Sequence, residues 1–176
     1  MIVWITGMSG AGKTSIAREV LKILKPDFPQ TILLDGDEVR ALFENDLGYT
    51  EAEREQQIRR LQRLAAWLDR SGMLVIVAAL YSHPDLLSWN RENFSNYFEV
   101  YLKASLEFLQ TRDSKGLYAG AEIGNIKNVV GIDIPWHEPN KPNMEVDATL
   151  IENPSTTAIK IINSLKFLNY SKGLSK

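Results

Sequence analysis

The chain of 176 residues contains no cysteine, which excludes disulfides and thiolate metal sites, and its two isolated histidines make no zinc site. No apolar run approaches the roughly 18 residues of a membrane span, and no secretory signal is visible. The expected location is therefore cytoplasmic, with no membrane partner. An excess of one charge is also missing. The 20 basic and 22 acidic side chains leave a net charge of −2, without the basic footprint that non-specific nucleic-acid binding needs. Any cluster of cations is local and suited to a small anion. With 44% hydrophobic residues the chain can build one proper core. A single domain over residues 1–170 is expected, followed by a polar tail over 171–176.

What is present begins almost at once. Residues 7–14 read Gly-Met-Ser-Gly-Ala-Gly-Lys-Thr, the spacing G-x-x-x-x-G-K-[ST]. Gly7, Gly10 and Gly12 allow a tight turn with inward N–H groups, Lys13 can reach the β- and γ-phosphates, and Thr14 can hold Mg²⁺. Ser9, Ala11 and Ser15 complete the loop and the first turn of a helix whose N-terminus attracts anions. The context fits, because Ile2-Val3-Trp4-Ile5 suits a buried strand and residues 15–24 carry helical apolar spacing. A bound nucleoside triphosphate, ATP with Mg²⁺, is the direct implication.

Further strands are expected over 31–34, 73–79, 97–102 and 148–151, with helices over 38–44, 50–70, 84–94, 104–112 and 156–168. The stretch 113–145 is rich in Gly, Lys, Asn and Pro and predicts a mobile lid, about 113–140, running into a long loop. Alternating strands and helices give an α/β class: a P-loop fold with a five-stranded parallel sheet, helices on both faces, and ligands beyond the strand carboxyl ends.

Two carboxylates, Asp35 and Asp37, flank Gly36 at the end of the second strand. A kinase needs one carboxylate near the metal and one within reach of the attacking hydroxyl. Arg40, Arg54, Arg59 and Arg60 follow closely, and guanidinium forks suit sulfate or phosphate. Arg112, Lys115 and Lys127 place cations on the expected lid, where they can neutralise developing charge. His83 and His137 have no triad-like company and read as loop histidines.

Together these motifs resemble adenylylsulfate kinase. The matching residues are Gly7–Thr14, Leu34-Asp35-Gly36-Asp37-Glu38-Val39-Arg40, Gly48-Tyr49-Thr50 through Arg54, Ile58-Arg59-Arg60, Arg112 through Tyr118, Ile126-Lys127, and Gly131-Ile132-Asp133 before Pro135. The resemblance implies transfer of the ATP γ-phosphate to the ribose 3′-hydroxyl of adenylylsulfate. Asp37 would be the base and Asp35 would lie near Mg²⁺. Arg40 and Arg54 would hold the acceptor's sulfate and phosphate, Tyr49 would stack on its base, Lys115 and Lys127 would act from the lid, and Arg112 would lie against the ATP adenine. A homodimer is left open.

The sequence departs from that pattern at the acceptor end. Val129 stands where the family has a Phe, Gln57 where it has an Asn, and Leu80-Tyr81-Ser82 replaces the usual run after the central strand. Val129-Val130 and the run Ile134–Pro139 resemble instead the cytidine diphosphoramidate kinases of capsule biosynthesis. A third possibility is a nucleotide-dependent switch protein, against which the acidic pair and the lid lysines argue.

Overall fold

The structure is a computed structural model, and it describes residues 1–113 and 116–165. Its centre is a sheet of five parallel strands in the order β2-β3-β1-β4-β5: β1 is Ile2–Thr6, β2 Thr31–Asp35, β3 Leu74–Ala79, β4 Tyr97–Lys103 and β5 Met144–Asp147. Every residue of β1 and β3 is buried, as expected of inner strands covered on both faces. The edge strands are less covered: in β2 Thr31 is buried and Ile32 exposed, and no residue of β5 is fully buried.

The period of two in β1 sorts its side chains between two cores. Val3 and Ile5 face a cluster with Ile16, Ala17 and Val20 of α1 (Lys13–Leu24) and with Ala158 and Ile161 of α7 (Pro154–Ser164). Ile2 and Trp4 face the opposite cluster, with Val39 of α2 (Gly36–Leu42), Ile58, Leu61 and Ala65 of α3 (Glu51–Arg70), and Leu86 and Leu87 of α4 (Pro84–Asn93). Helices therefore cover both faces, as read from the sequence. On α3, residues 58, 61 and 65 are spaced to form one buried stripe.

Two expectations shift in register. The last strand is Met144–Asp147, paired from Val100↔Met144 to Lys103↔Asp147, and the expected strand at 148–151 is mostly a 3₁₀ turn, Ala148–Leu150. The cause is local: the Asp147 side chain accepts the Thr149 N–H at 2.9 Å and turns the chain out of the sheet. Likewise α2 begins at Gly36, not residue 38, because Asp35 caps it. The helix expected over 104–112 is the shorter α5, Leu106–Thr111, capped by Ser105. The described residues 116–140 also carry more order than their composition predicts, including α6 (Leu117–Glu122) and a tight turn around Val129–Ile134. Residues 166–168 of the expected final helix and the tail 171–176 lie outside the described residues.

Candidate active site

A cavity of about 760 Å³ opens at the carboxyl ends of the strands. At one end the chain leaves β1 into the glycine loop. Gly12 takes a left-handed conformation, φ 93°, as the cap of α1, where a side chain would be strained. Lys13 Nζ donates to the Met8 carbonyl at 2.8 Å, folded back over its own loop. Thr14 Oγ1 donates to Asp35 Oδ2 at 2.7 Å, and the other oxygen of Asp35 accepts the Asp37 N–H at 2.9 Å. The buried Asp35 thus joins the first turn of α1 to the first turn of α2. Asp37 is exposed and lines the cavity beside it.

The far end is built by α2, α3 and the turn after α6. A capping box starts α3: Thr50 Oγ1 accepts the Glu53 N–H, and Glu53 Oε2 accepts the Thr50 N–H at 3.0 Å. This places Arg54 in the first turn, beside Tyr49. The Arg40 and Arg54 guanidiniums lie 4.8 and 5.3 Å from the Tyr49 ring centroid. Arg40 is buried and spends Nη1 on the carbonyls of Leu47 and Gly48, at 3.0 and 2.8 Å. Arg54 donates from Nε to the Tyr49 carbonyl at 2.9 Å and from Nη2 to the Asn128 carbonyl at 2.7 Å. Burial, and then repulsion from Arg40, lower its pKa. Neither arginine belongs to an ion pair among the described residues. Two close cations, one buried and one half-buried, with no carboxylate in ion-pair contact, suit an anion.

The comparisons with known proteins agree with this chemistry. The family model described as adenylylsulphate kinase matches residues 1–147. The chain belongs to the adenylylsulfate kinase family. Its relatives include the adenylyl-sulfate kinase of Halothermothrix orenii, 36% identical over 95% of this chain and 91% of that one. That of Pseudomonas aeruginosa is 37% identical over 94% and 85%. Among solved structures, the APS kinase CysC of Mycobacterium tuberculosis, in complex with AMPPNP and APS, superimposes with a TM-score of 0.85. It is 33% identical, and the match covers 94% of this chain and 96% of that one. Shikimate kinase of Aquifex aeolicus, at 14% identity and a TM-score of 0.60, shares the fold. The chain is thus an ATP-dependent kinase, and no helix among its described residues is long and apolar enough to cross a membrane.

Within this member of the adenylylsulfate kinase family, Ser9, Gly10, Gly12, Lys13, Thr14, Ser15 and Arg112 line the cavity, while Gly7 and Ala11 are buried and do not. Arg112 lies over Phe108, 5.3 Å from its ring centroid. Tyr49, Gln57, Leu80, Tyr81, Lys127 and Val129 line the cavity with Arg40 and Arg54. Gln57 Nε2 donates to the Gly36 carbonyl at 3.1 Å, tying α3 to the Asp-Gly-Asp turn. Lys115 lies outside the described residues. Ser82 is buried, does not line the cavity, and donates to the His137 carbonyl at 2.6 Å. Arg59 and Arg60 also stand apart. They pair with Glu55 and Asp46, and the Arg60 guanidinium lies over Phe43 at 4.1 Å.

Three contributors escaped the sequence reading. Glu51 accepts the Tyr81 hydroxyl at 2.7 Å, and burial followed by that carboxylate raises the tyrosine's pKa, keeping it a donor. Asn128 supplies the carbonyl for Arg54, and buried Tyr118 donates to the Ser9 carbonyl at 3.0 Å, joining α6 to the phosphate loop. Burial pushes Tyr118 up to about 12, so it too stays protonated. Tyr118→Phe is expected to lower the unfolding free energy by about 1 kcal/mol. It should also raise KM for ATP while leaving acceptor KM unchanged. Urea unfolding and steady-state kinetics check this, and equal shifts in both KM values would count against it.

Proposed function

We propose that the chain transfers the γ-phosphoryl group of ATP to the ribose 3′-hydroxyl of adenylylsulfate, giving 3′-phosphoadenylylsulfate and ADP in the cytoplasm. The observation that carries this reading is a pair of arginines beside Tyr49, Arg40 buried and Arg54 half-buried, with no carboxylate in ion-pair contact among the described residues. They line the same cavity as the phosphate loop and Asp37. An acceptor with two anionic groups and an aromatic base satisfies both features. The relatives' names point the same way.

In this reading the glycine-loop N–H groups and Lys13 hold the triphosphate. The Thr14 hydroxyl and the Asp35 carboxylate are hard oxygen donors 2.7 Å apart, a set that fits Mg²⁺ shared with phosphate and water. When bound, that ion neutralises charge on the β- and γ-phosphates. Asp37 accepts the 3′-hydroxyl proton as the hydroxyl oxygen bonds to the γ-phosphorus and the bond to the bridging oxygen of ADP breaks. Arg40, Arg54 and Tyr49 fix the acceptor. Lys115 and Lys127 add positive charge from the 113–140 stretch, acting as a lid, and Arg112 packs against the ATP adenine.

A second reading, transfer to cytidine diphosphoramidate, is favoured by Val129, a small buried aliphatic side chain where the family's Phe would close on the acceptor base. Loss of such an aromatic removes stacking of roughly 1–3 kcal/mol by analogy with nucleic-acid recognition. Incubation with ATP-Mg²⁺ and adenylylsulfate, cytidine diphosphoramidate or no acceptor separates the readings. ADP and a phosphorylated product are expected with adenylylsulfate; ADP formed only with the cytidine compound defeats the first reading.

A further inference from the structure

The turn after Lys127 is organised by its own carboxylate. Asn128 holds a left-handed conformation, φ 64°, which a non-glycine residue keeps only when its surroundings over-determine it. Asp133 supplies that constraint: one oxygen accepts the Asn128 N–H at 2.6 Å and the other accepts the Val129 N–H. The Val129 carbonyl accepts the N–H groups of Ile132, Asp133 and Ile134, each at 3.1 Å. The turn is thereby tied at both ends, and its Asn128 carbonyl is the group to which Arg54 donates across 74 positions of sequence.

Arg54 is thus a half-buried cation aimed by two carbonyls, of Tyr49 and Asn128, and by no ion pair among the described residues. Carbonyls orient a guanidinium without cancelling its charge, and the Asp133 carboxylate acts on Arg54 electrostatically without forming an ion pair with it, so the charge stays available to a ligand. Asp133 itself does not line the cavity.

We infer that Asp133 is a positioning residue for the acceptor. By holding the 128–129 backbone it sets the carbonyl that aims Arg54, so acceptor affinity depends on a side chain outside the cavity. This rests on the reading of the Arg40–Arg54 end as the acceptor site.

The test compares wild type, Asp133→Asn, which keeps one accepting oxygen, and Asp133→Ala in two arms. In the substrate-free protein, nitrogen-15 NMR of the arginine Nη–H groups reads the brace directly, because Nη2 is the donor to the Asn128 carbonyl. Arg54 Nη–H exchange with water accelerates roughly tenfold or more in Asp133→Ala and less in Asp133→Asn. In steady-state kinetics, KM for adenylylsulfate rises roughly tenfold in Asp133→Ala while KM for ATP stays within about twofold. Should Asp133→Ala not fold, Asp133→Asn carries both arms. Unchanged Arg54 exchange, or KM values for ATP and acceptor rising together, overturns the inference. A wild-type protein that turns over no adenylylsulfate defeats the functional reading instead, and the NMR arm then decides the brace alone.

Discussion

Asp37→Asn is expected to lower turnover by roughly 10²–10⁴-fold while leaving ATP binding nearly intact. The side chain is exposed into the cavity on the first turn of α2, and its backbone N–H is held by Asp35 at 2.9 Å. The amide keeps the shape and the backbone bond but cannot take a proton, so the loss falls on the chemical step. Asp35, bonded to Thr14, stays in place to support the donor end. Rapid-quench turnover and equilibrium binding of ATP check the two halves separately. Near-normal turnover rejects Asp37 as the base, and a parallel loss of ATP binding places its role in the donor site.

Gly7→Ala is expected to cost about 1–3 kcal/mol of stability and to cut turnover by as much as about 100-fold. An added Cβ at Gly7 would lie 2.7 Å from the Leu102 carbonyl oxygen and 3.2 Å from the Leu102 Cβ. Leu102 is buried inside β4, which pairs with β1 on one side and β5 on the other, so it cannot retreat. The phosphate loop has to lift off the sheet instead, carrying its N–H groups out of register with the triphosphate. Urea unfolding and turnover measure both effects. A variant with wild-type stability and turnover would mean that the loop shifts at no cost.

Much of the fold was legible because its signals are local. Buried parallel strands such as Leu74–Ala79 read as short apolar runs, and α3 is announced by Thr50-x-x-Glu53 and a stripe at 58, 61 and 65. The last strand was misplaced by four residues. Apolar Ala148-Thr149-Leu150-Ile151 resembles a strand more than Met144-Glu145-Val146-Asp147 does, and only pairing with β4 and the Asp147 turn decide between them. The short helix α6 was missed because Leu117–Glu122 lies among glycines and is held by contacts from elsewhere, including Tyr118 to Ser9.

At the candidate site the same division holds. The sequence by itself determined the donor end. Binding a triphosphate on backbone N–H groups needs glycines, a lysine and a hydroxyl within one eight-residue stretch, and that stretch is written consecutively at Gly7–Thr14. It also placed the carboxylates, since Asp35-Gly36-Asp37 ends a readable strand. Only the tertiary structure decided the opposite end of the cavity: which of four nearby arginines face it, and how Arg54 is aimed. Arg59 and Arg60 turn to Glu55 and Asp46, whereas Arg40 and Arg54 donate to backbone carbonyls beside the cavity. The physical reason is that a guanidinium's direction is set by whichever oxygens surround it. For Arg54 those come from Tyr49 and Asn128, residues separated in the chain and joined only by the fold.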